Sequence, residues 1–335
     1  MALAEATIKM FPAQDAESAE SKFWTYDAEL GWFHVPGSKG TFHSRQHGYK
    51  GEVSFDEQGF RSTGGQPPAN AKKILIVGDS TTVGQEVDDN ETYPAVLERS
   101  FAEAGKPVKV YNAGVRGYGA DQVYLLVKRL VPRLKPDLVL YMFSDNDFPD
   151  VVTVKNRHRL YSKPAFFLED GKLRPTNIPA GKFDLEYFEY IDCEGGCRTV
   201  SGQAKAGGAF AWMRKHSFFY KYFEDFYYVK LSPTASFEQK VDNAYAERLF
   251  PYLLAEMKKE APNLYATSFT ENGGPNRGGY DYSWETAKKS GVRFLDIRPK
   301  FELTGHYIYP VDGHWTEKGH RVAGEALYGL LKDKL

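Results

Sequence analysis

The sequence predicts an α/β protein with a flavodoxin-like, three-layer α/β/α architecture, in which helices cover both faces of about five parallel strands. Two observations support this prediction. Residues 72–143 alternate between short apolar segments and amphipathic segments in the order β-α-β-α-β, which is typical of a parallel, doubly wound sheet. The same alternation returns at residue 237 and continues to the last residue.

The individual elements follow from the spacing of apolar residues. Short, wholly apolar segments predict strands that are covered on both faces. These strands are expected at 72–79, 108–112, 137–143, 264–269 and 292–297. Apolar residues three and four positions apart predict helices with one buried face. The helices are expected at 93–104, 121–134, 237–260, 284–290 and 316–332.

The chain of 335 residues divides into an arm and one larger domain. Residues 1–70 are polar and rich in Gly and Pro, so we predict an irregular N-terminal arm. Residues 71–335 form the α/β domain, with an inserted cap segment at about 150–235, where the alternation stops. The insertion contains an aromatic stretch at 218–229, which is either core or the lining of an acyl or glycan groove. Cys193 and Cys197 form either a local disulfide or two free thiols.

Composition excludes several classes of function. The formal net charge of −1 gives no basic field for nucleic acid, so no nucleic-acid partner is expected. No apolar run approaches the length of a membrane span. A dinucleotide fingerprint is absent from the first strand. Asp145, Asp147 and Asp150 lack the glycine turn and distal glutamate of a calcium loop, so we expect neither a metal nor a cofactor.

Polar clusters directly follow the first three predicted strands. They are Gly-Asp-Ser at 78–80, a glycine-containing loop at 112–117, and Ser-Asp-Asn-Asp at 144–147. A fourth cluster, Asp-Gly-His-Trp at 312–315, immediately precedes the last helix. Ligands of open α/β sheets bind beyond the carboxyl ends of the strands, so we expect these clusters to converge on one site.

These residue types suit nucleophilic catalysis. A serine hydroxyl needs a base to accept its proton, and a neutral imidazole can do this near neutral pH. Ser80 is therefore the candidate nucleophile and His314 the candidate base. Asp312 is the candidate that orients the imidazole, because residues two apart in an extended segment share a side. Asp296, at the end of a predicted strand, is the alternative.

The order of the four clusters resembles that of the SGNH (GDSL-type) hydrolases. The resemblance covers about 72–146 and 292 to the end, and leaves the middle of the chain unassigned. It implies an oxyanion hole made by the N–H of Ser80, the N–H of Gly117 and the side-chain amide of Asn146. Two departures concern the site. One residue rather than two separates Asp312 from His314, and Ser144 and Asp145 stand where the family often has glycine.

Residues 26–62 also resemble the segment that precedes the Gly-Asp-Ser motif in bacterial envelope members of this family. This implies an extracytoplasmic protein of the bacterial periplasm or cell envelope, with a membrane anchor or signal further upstream; the alternative is a cytoplasmic protein. We expect a serine esterase that acts through an acyl-serine intermediate on an acylated small molecule or glycan. It would be a carbohydrate O-deacetylase or a small-acyl carboxylesterase. The alternatives are a polysaccharide O-acyltransferase and an inactive glycan-binding envelope protein.

Overall fold

The computed structural model describes residues 22–44, 49–144, 146–155, 162–181, 187–192, 198–203, 243–269, 278–310 and 313–335. Several residues with sequence-based predictions lie outside these ranges. They are Asp145, Asp312, Cys193, Cys197 and the aromatic stretch at 218–229. The interpretations given for them above therefore stay predictions.

The strands and helices of the described residues are numbered here in chain order. The strands are β1 (Trp24–Asp27), β2 (Gly31–His34), β3 (Lys39–Ser44), β4 (Tyr49–Ser54), β5 (Lys72–Gly78), β6 (Val108–Gly114), β7 (Leu138–Phe143), β8 (Thr153–Lys155), β9 (Ala165–Glu169), β10 (Lys172–Thr176), β11 (Tyr187–Asp192), β12 (Arg198–Gln203), β13 (Leu264–Ser268) and β14 (Arg293–Phe294). The helices are α1 (Ser80–Val83), α2 (Tyr93–Glu103), α3 (Ala120–Leu134), α4 (Asp147–Asp150), α5 (Asn243–Glu260), α6 (Gly278–Lys289) and α7 (Glu317–Leu331).

The predicted parallel sheet is confirmed. Its strand order is β14-β13-β7-β5-β6, and every neighbouring pair is parallel. Helices α2 and α7 pack together on one face, and α3 and α5 pack together on the other. Along β5, Leu75 and Val77 join the core beneath α3, whereas Ile74 and Ile76 join the core beneath α2 and α7. Both faces of the strand are buried, which explains its wholly apolar sequence.

The prediction of an irregular N-terminal arm is wrong for residues 24–34, 39–44 and 49–54. Strands β1 and β2 form one antiparallel hairpin, and β3 and β4 form a second antiparallel pair. Strand β4 alternates buried and exposed positions, but its central inward residue is Gly51, so the apolar pattern is interrupted there. After β4, the N–H of Arg61 donates to the carbonyl of Asn112 at 3.0 Å. This contact pairs the segment with the exposed edge of β6.

The α/β alternation stops after β7, in the region predicted as an insertion. Strands β9 and β10 form a hairpin, and β8, β11 and β12 form a separate antiparallel sheet. Lys163, just before the hairpin, makes a buried ion pair with Asp121 at the start of α3. In the described parts of the chain, no helix is long and apolar enough to cross a membrane.

Candidate active site

Ser80 stands at the turn that leads from β5, an inner strand of the sheet, into the short helix α1. The strand ends at Gly78, where a side chain would collide with Thr82 and with the carbonyl oxygen of Met142. The carboxylate of Asp79 then caps α1 by accepting from the N–H of Thr81 at 2.9 Å. This turn places Ser80 at the carboxyl edge of the sheet, as the sequence predicted. Because α1 is only 4 residues long, its dipole contributes little to the site.

His314 reaches the same edge from the loop that precedes α7. The N–H of Tyr309 donates to the carbonyl of His314, and the N–H of Gly313 donates to the carbonyl of Tyr309, each at 2.8 Å. The following residue, Trp315, is fully buried and stacks on Phe301. The loop is thus closed by backbone hydrogen bonds and anchored in the core, which fixes the imidazole.

The two predicted catalytic side chains are in hydrogen-bonding contact. The Oγ of Ser80 lies 2.8 Å from the Nε2 of His314. Both residues line a cavity of about 260 Å³ at the carboxyl edge of the sheet. Among the described residues, its lining comprises Asp79, Ser80, Thr81, Ser144, Asn146, Phe269, Gly313 and His314. A serine and a base at this distance can transfer a proton without rearrangement.

Of the predicted oxyanion donors other than Ser80, Asn146 lines the cavity and Gly117 does not, among the described residues. Asn146, between β7 and α4, lines the cavity together with Ser80, and its amide donates to Asp150 at 3.3 Å. Gly117 lies in the loop after β6 with a φ of 71°, a conformation that favours glycine. It is not among the described residues that line the cavity. The oxyanion role of Gly117 therefore stays a prediction.

Two buried carboxylates brace the loops around the site. Asp79 accepts from the hydroxyl of Ser144 at 3.1 Å, and burial raises its pKa against the opposing effect of His314. Asp147 accepts from the hydroxyl of Tyr141 and the N–H of Ser144. Burial, reinforced by the charge of Asp79, raises the pKa of Asp147 well above its usual range. Both carboxylates therefore hold the loops that carry the site residues.

Asp296, the alternative candidate for orienting the imidazole, binds Arg298 through both of its oxygens, at 3.0 and 2.9 Å. The sequence analysis missed another carboxylate, which lies near the base. Glu86, in the segment after α1, has its Oε1 3.7 Å from the Nδ1 of His314. No local pattern marks Glu86 as buried, so the sequence offered no signal for it. Phe269 in the cavity wall could have been found, because it ends a predicted strand at the carboxyl edge.

Known proteins resemble this chain in part. Residues 76–163 match the GDSL-like Lipase/Acylhydrolase family. An arylesterase from Vibrio mimicus is 28% identical over 96 residues. That alignment covers 28% of this chain and 48% of the arylesterase, so the chain spans about half the length of this curated relative.

Two solved structures also align with most of the chain. A lipase/acylhydrolase from Enterococcus faecalis covers 79% of this chain and 97% of its own, at 14% identity and a TM-score of 0.40. A psychrotrophic esterase from Pseudoalteromonas sp. covers 78% of this chain and 98% of its own, at 9% identity and a TM-score of 0.42.

The matched family segment contains Ser80, Gly117 and Asn146, the nucleophile and oxyanion positions that the resemblance implied. The remaining element, His314, contacts Ser80 from the far end of the chain. Residues 76–163 of this chain are therefore similar to the GDSL-like Lipase/Acylhydrolase family, and the described site brings together the serine and the histidine that serine ester hydrolysis needs.

Proposed function

We propose that this chain hydrolyses small acyl esters, acetyl esters of carbohydrate in the first place, through an acyl-serine intermediate. The observation that carries the proposal is the 2.8 Å contact between the Oγ of Ser80 and the Nε2 of His314 at the cavity. An esterase needs this pair because the hydroxyl becomes a competent nucleophile only as its proton leaves.

The reaction follows from the positions of these atoms. The Nε2 of His314 accepts the proton of Ser80 while Oγ attacks the ester carbonyl carbon, and the carbonyl electron pair moves to oxygen. The N–H of Ser80 and the amide of Asn146 are the donors that stabilise this oxyanion, with Gly117 as the predicted third. The intermediate expels the alcohol, which takes the proton from His314. Water repeats the sequence on the acyl-serine and releases the carboxylic acid.

The size of the cavity favours a small acyl group. Its volume of about 260 Å³ lies below the range of roughly 300–1,000 Å³ that is usual for drug-sized ligands. The carbohydrate part rests on the resemblance of residues 26–62 to envelope members of the family, and the lining of the cavity is polar at Ser144 and Asn146.

Hydrolysis of a chromogenic acetate ester tests the serine chemistry. Ser80→Ala and His314→Ala should each lower turnover roughly a thousandfold or more, because members of a triad act as a unit. Ser268→Ala is the matched control, since Ser268 is buried at the same edge of the sheet but does not line the cavity among the described residues. It should retain turnover. Activity of purified Ser80→Ala equal to that of the unmodified protein would refute the mechanism.

Acyl chain length tests the proposed substrate class. Each buried methylene contributes about 0.8 kcal/mol, so an enzyme for lipids gains steeply in kcat/KM from acetate to octanoate. A small acyl pocket instead penalises added methylenes, and we expect a maximum at acetate. Acetylated oligosaccharides should lose acetyl groups, as measured by mass spectrometry. A steep rise with chain length and no action on acetylated sugars would overturn the substrate class and leave the serine mechanism standing.

A further inference from the structure

The imidazole of His314 has a different partner on each side. Its Nε2 faces Ser80 at 2.8 Å, and its Nδ1 faces the Oε1 of Glu86 at 3.7 Å. The Glu86 side chain is completely buried. We propose that Glu86 is a positioning residue for the base: its carboxylate favours the proton on Nδ1, leaves Nε2 free for the Ser80 proton, and stabilises the imidazolium that forms. This inference rests on the proposed function.

The distance between the two groups is within electrostatic range. A separation of 3.7 Å is longer than an ordinary hydrogen bond, so Glu86 acts on the imidazole through its charge. At this range, a buried carboxylate already favours the protonated imidazole, because an opposite charge within about 4–6 Å stabilises the charged form.

A buried cation supports the negative charge on Glu86. The guanidinium of Arg61 is fully buried, and its Nε lies 2.8 Å from the Oδ1 of Asp89. Burial lowers the pKa of Arg61, and the negative charges of Asp89, Glu86 and Asp88 oppose that effect. The attraction is mutual, so Arg61 favours the ionised form of Glu86. A buried carboxylate would otherwise tend to neutralise itself by taking a proton.

The backbone that carries Glu86 is held from both ends. Helix α1 ends at Gly84 in the left-handed conformation, with φ 61°. Strand β4 then packs so closely that a Cβ on Gly51 would lie 2.6 Å from the carbonyl oxygen of Val87 and 2.7 Å from that of Gln85. Arg61 also donates from Nη2 to the carbonyl of Val87 at 2.9 Å. Contacts from β4 and from Arg61 therefore hold the backbone on either side of Glu86.

Other ionisable groups surround the pair. Asp79 lies on the Ser80 side of the imidazole, with its Oδ2 3.5 Å from the Ser80 Oγ, and it interacts with His314 electrostatically. Burial lowers the pKa of His320 to about 3, so this neighbour is neutral near pH 7. Asp312 adjoins the base in sequence. Its role stays a prediction and concerns the same nitrogen, where a second carboxylate would favour the same protonated imidazole.

The test compares Glu86→Gln with Glu86→Asp in ester hydrolysis. Glu86→Gln should lower kcat tenfold to a hundredfold with little change in KM, because the base loses its orientation. The rising limb of kcat/KM against pH should move down by about one pH unit, because the charge that favoured imidazolium is gone. Glu86→Asp keeps the charge but withdraws it by one methylene, so its midpoint and kcat should be intermediate.

A control separates this role from loss of stability. Glu98 is also a buried carboxylate that links the N-terminal segment to the sheet, accepting from Thr63 and from the N–H of Val110 at 2.7 Å each. Glu98→Gln should reduce the melting temperature without moving the pH midpoint. If Glu98→Gln shifts the midpoint as far as Glu86→Gln does, the effect is not specific to His314 and the inference fails.

Titration of the His314 imidazole by NMR supplies a measurement that does not need activity. The resonance is assigned by its absence from His314→Ala. Its midpoint should fall by about one pH unit in folded Glu86→Gln. Should that variant not fold, Glu86→Asp decides, and a midpoint equal to that of the unmodified protein overturns the inference. If acetate esters are not hydrolysed at all, the proposed function fails, and the titration still decides whether Glu86 acts on His314.

Discussion

Ser80 and His314 stand 234 positions apart in the chain, and their side chains meet at 2.8 Å. This contact depends on the local structure around each residue. Ser80 directly follows β5, which is paired on both sides, so the sheet fixes its position. His314 sits on a loop that is closed by backbone hydrogen bonds and anchored by the buried Trp315. These contacts lie within the chain itself and hold the two side chains at the distance that proton transfer needs.

Asn146 is the residue at which the oxyanion assignment can be tested most directly. It shares the cavity lining with Ser80, and its amide nitrogen carries two hydrogens, one of which donates to Asp150. Asn146→Ala should lower kcat by about 10²–10³-fold with a small effect on KM, because the lost hydrogen bond forms in the transition state. Steady-state kinetics on an acetate ester measures this.

Asn263→Ala is the control for Asn146→Ala. Asn263 donates to the carbonyl of Pro136 at 2.8 Å, at the opposite edge of the sheet, so its loss removes a side-chain hydrogen bond without touching the cavity. It should leave kcat unchanged. Turnover of Asn146→Ala within threefold of the unmodified protein would remove Asn146 from the oxyanion hole.

At the scale of elements, the sequence predicted what repeating apolar patterns determine. All five parallel strands and the helices that cover them follow from such patterns, with ends that differ by a few residues. Among the strands, β14 differs most, since it was expected at 292–297 and spans only Arg293–Phe294. Beyond it, the N–H of Leu295 still donates to the carbonyl of Ala266, but the chain then turns into the Arg298–Lys300 helix. Among the helices, α6 was expected at 284–290 and begins six residues earlier, at Gly278.

The N-terminal strands escaped prediction because their inward positions are not uniformly apolar. Gly51 holds the central inward position of β4, and the closely packed backbone of residues 85–87 leaves room for no side chain there. The charged Arg61 is buried where a sequence pattern would expect a solvated residue. Glu86 was missed for the same reason. A buried ionic network is defined by three-dimensional contacts, and it has no period along the sequence.

Two histidines, His34 and His320, are buried in different regions of the molecule. His34 lies in β2, where its ring stacks on Phe55, and its Nδ1 lies 2.9 Å from the carbonyl of Gly59. His320 lies in α7 and accepts from the N–H of Tyr93 at 3.2 Å. Burial lowers the pKa of each to about 3, with the charge of Arg61 acting in the same direction. Folding thus excludes two protons that the unfolded chain would bind in acid.

The sign of the resulting pH dependence follows from these lowered pKa values. Unfolded histidine takes up its proton near pH 6.5, whereas the folded groups do so only near pH 3. These two histidines therefore do not lower the free energy of unfolding above about pH 6.5. Between about pH 6.5 and pH 3 that free energy falls as the pH drops, by about 1.4 kcal/mol per pH unit for each histidine. Replacing one of them should flatten this dependence.

Between pH 7.5 and pH 5, the free energy of unfolding of His320→Gln should fall by about 2 kcal/mol less than that of the unmodified protein. Urea unfolding at both pH values measures this difference. The variant starts from a lower stability at pH 7.5, because the Tyr93 contact is altered, so the comparison concerns the change with pH and not the absolute value. His306→Gln is the control, since His306 is exposed, and it should follow the unmodified protein. An equal loss of stability in His320→Gln and the unmodified protein would mean that His320 takes up its proton in the folded state, and its burial beside Tyr93 would then not exclude the charge.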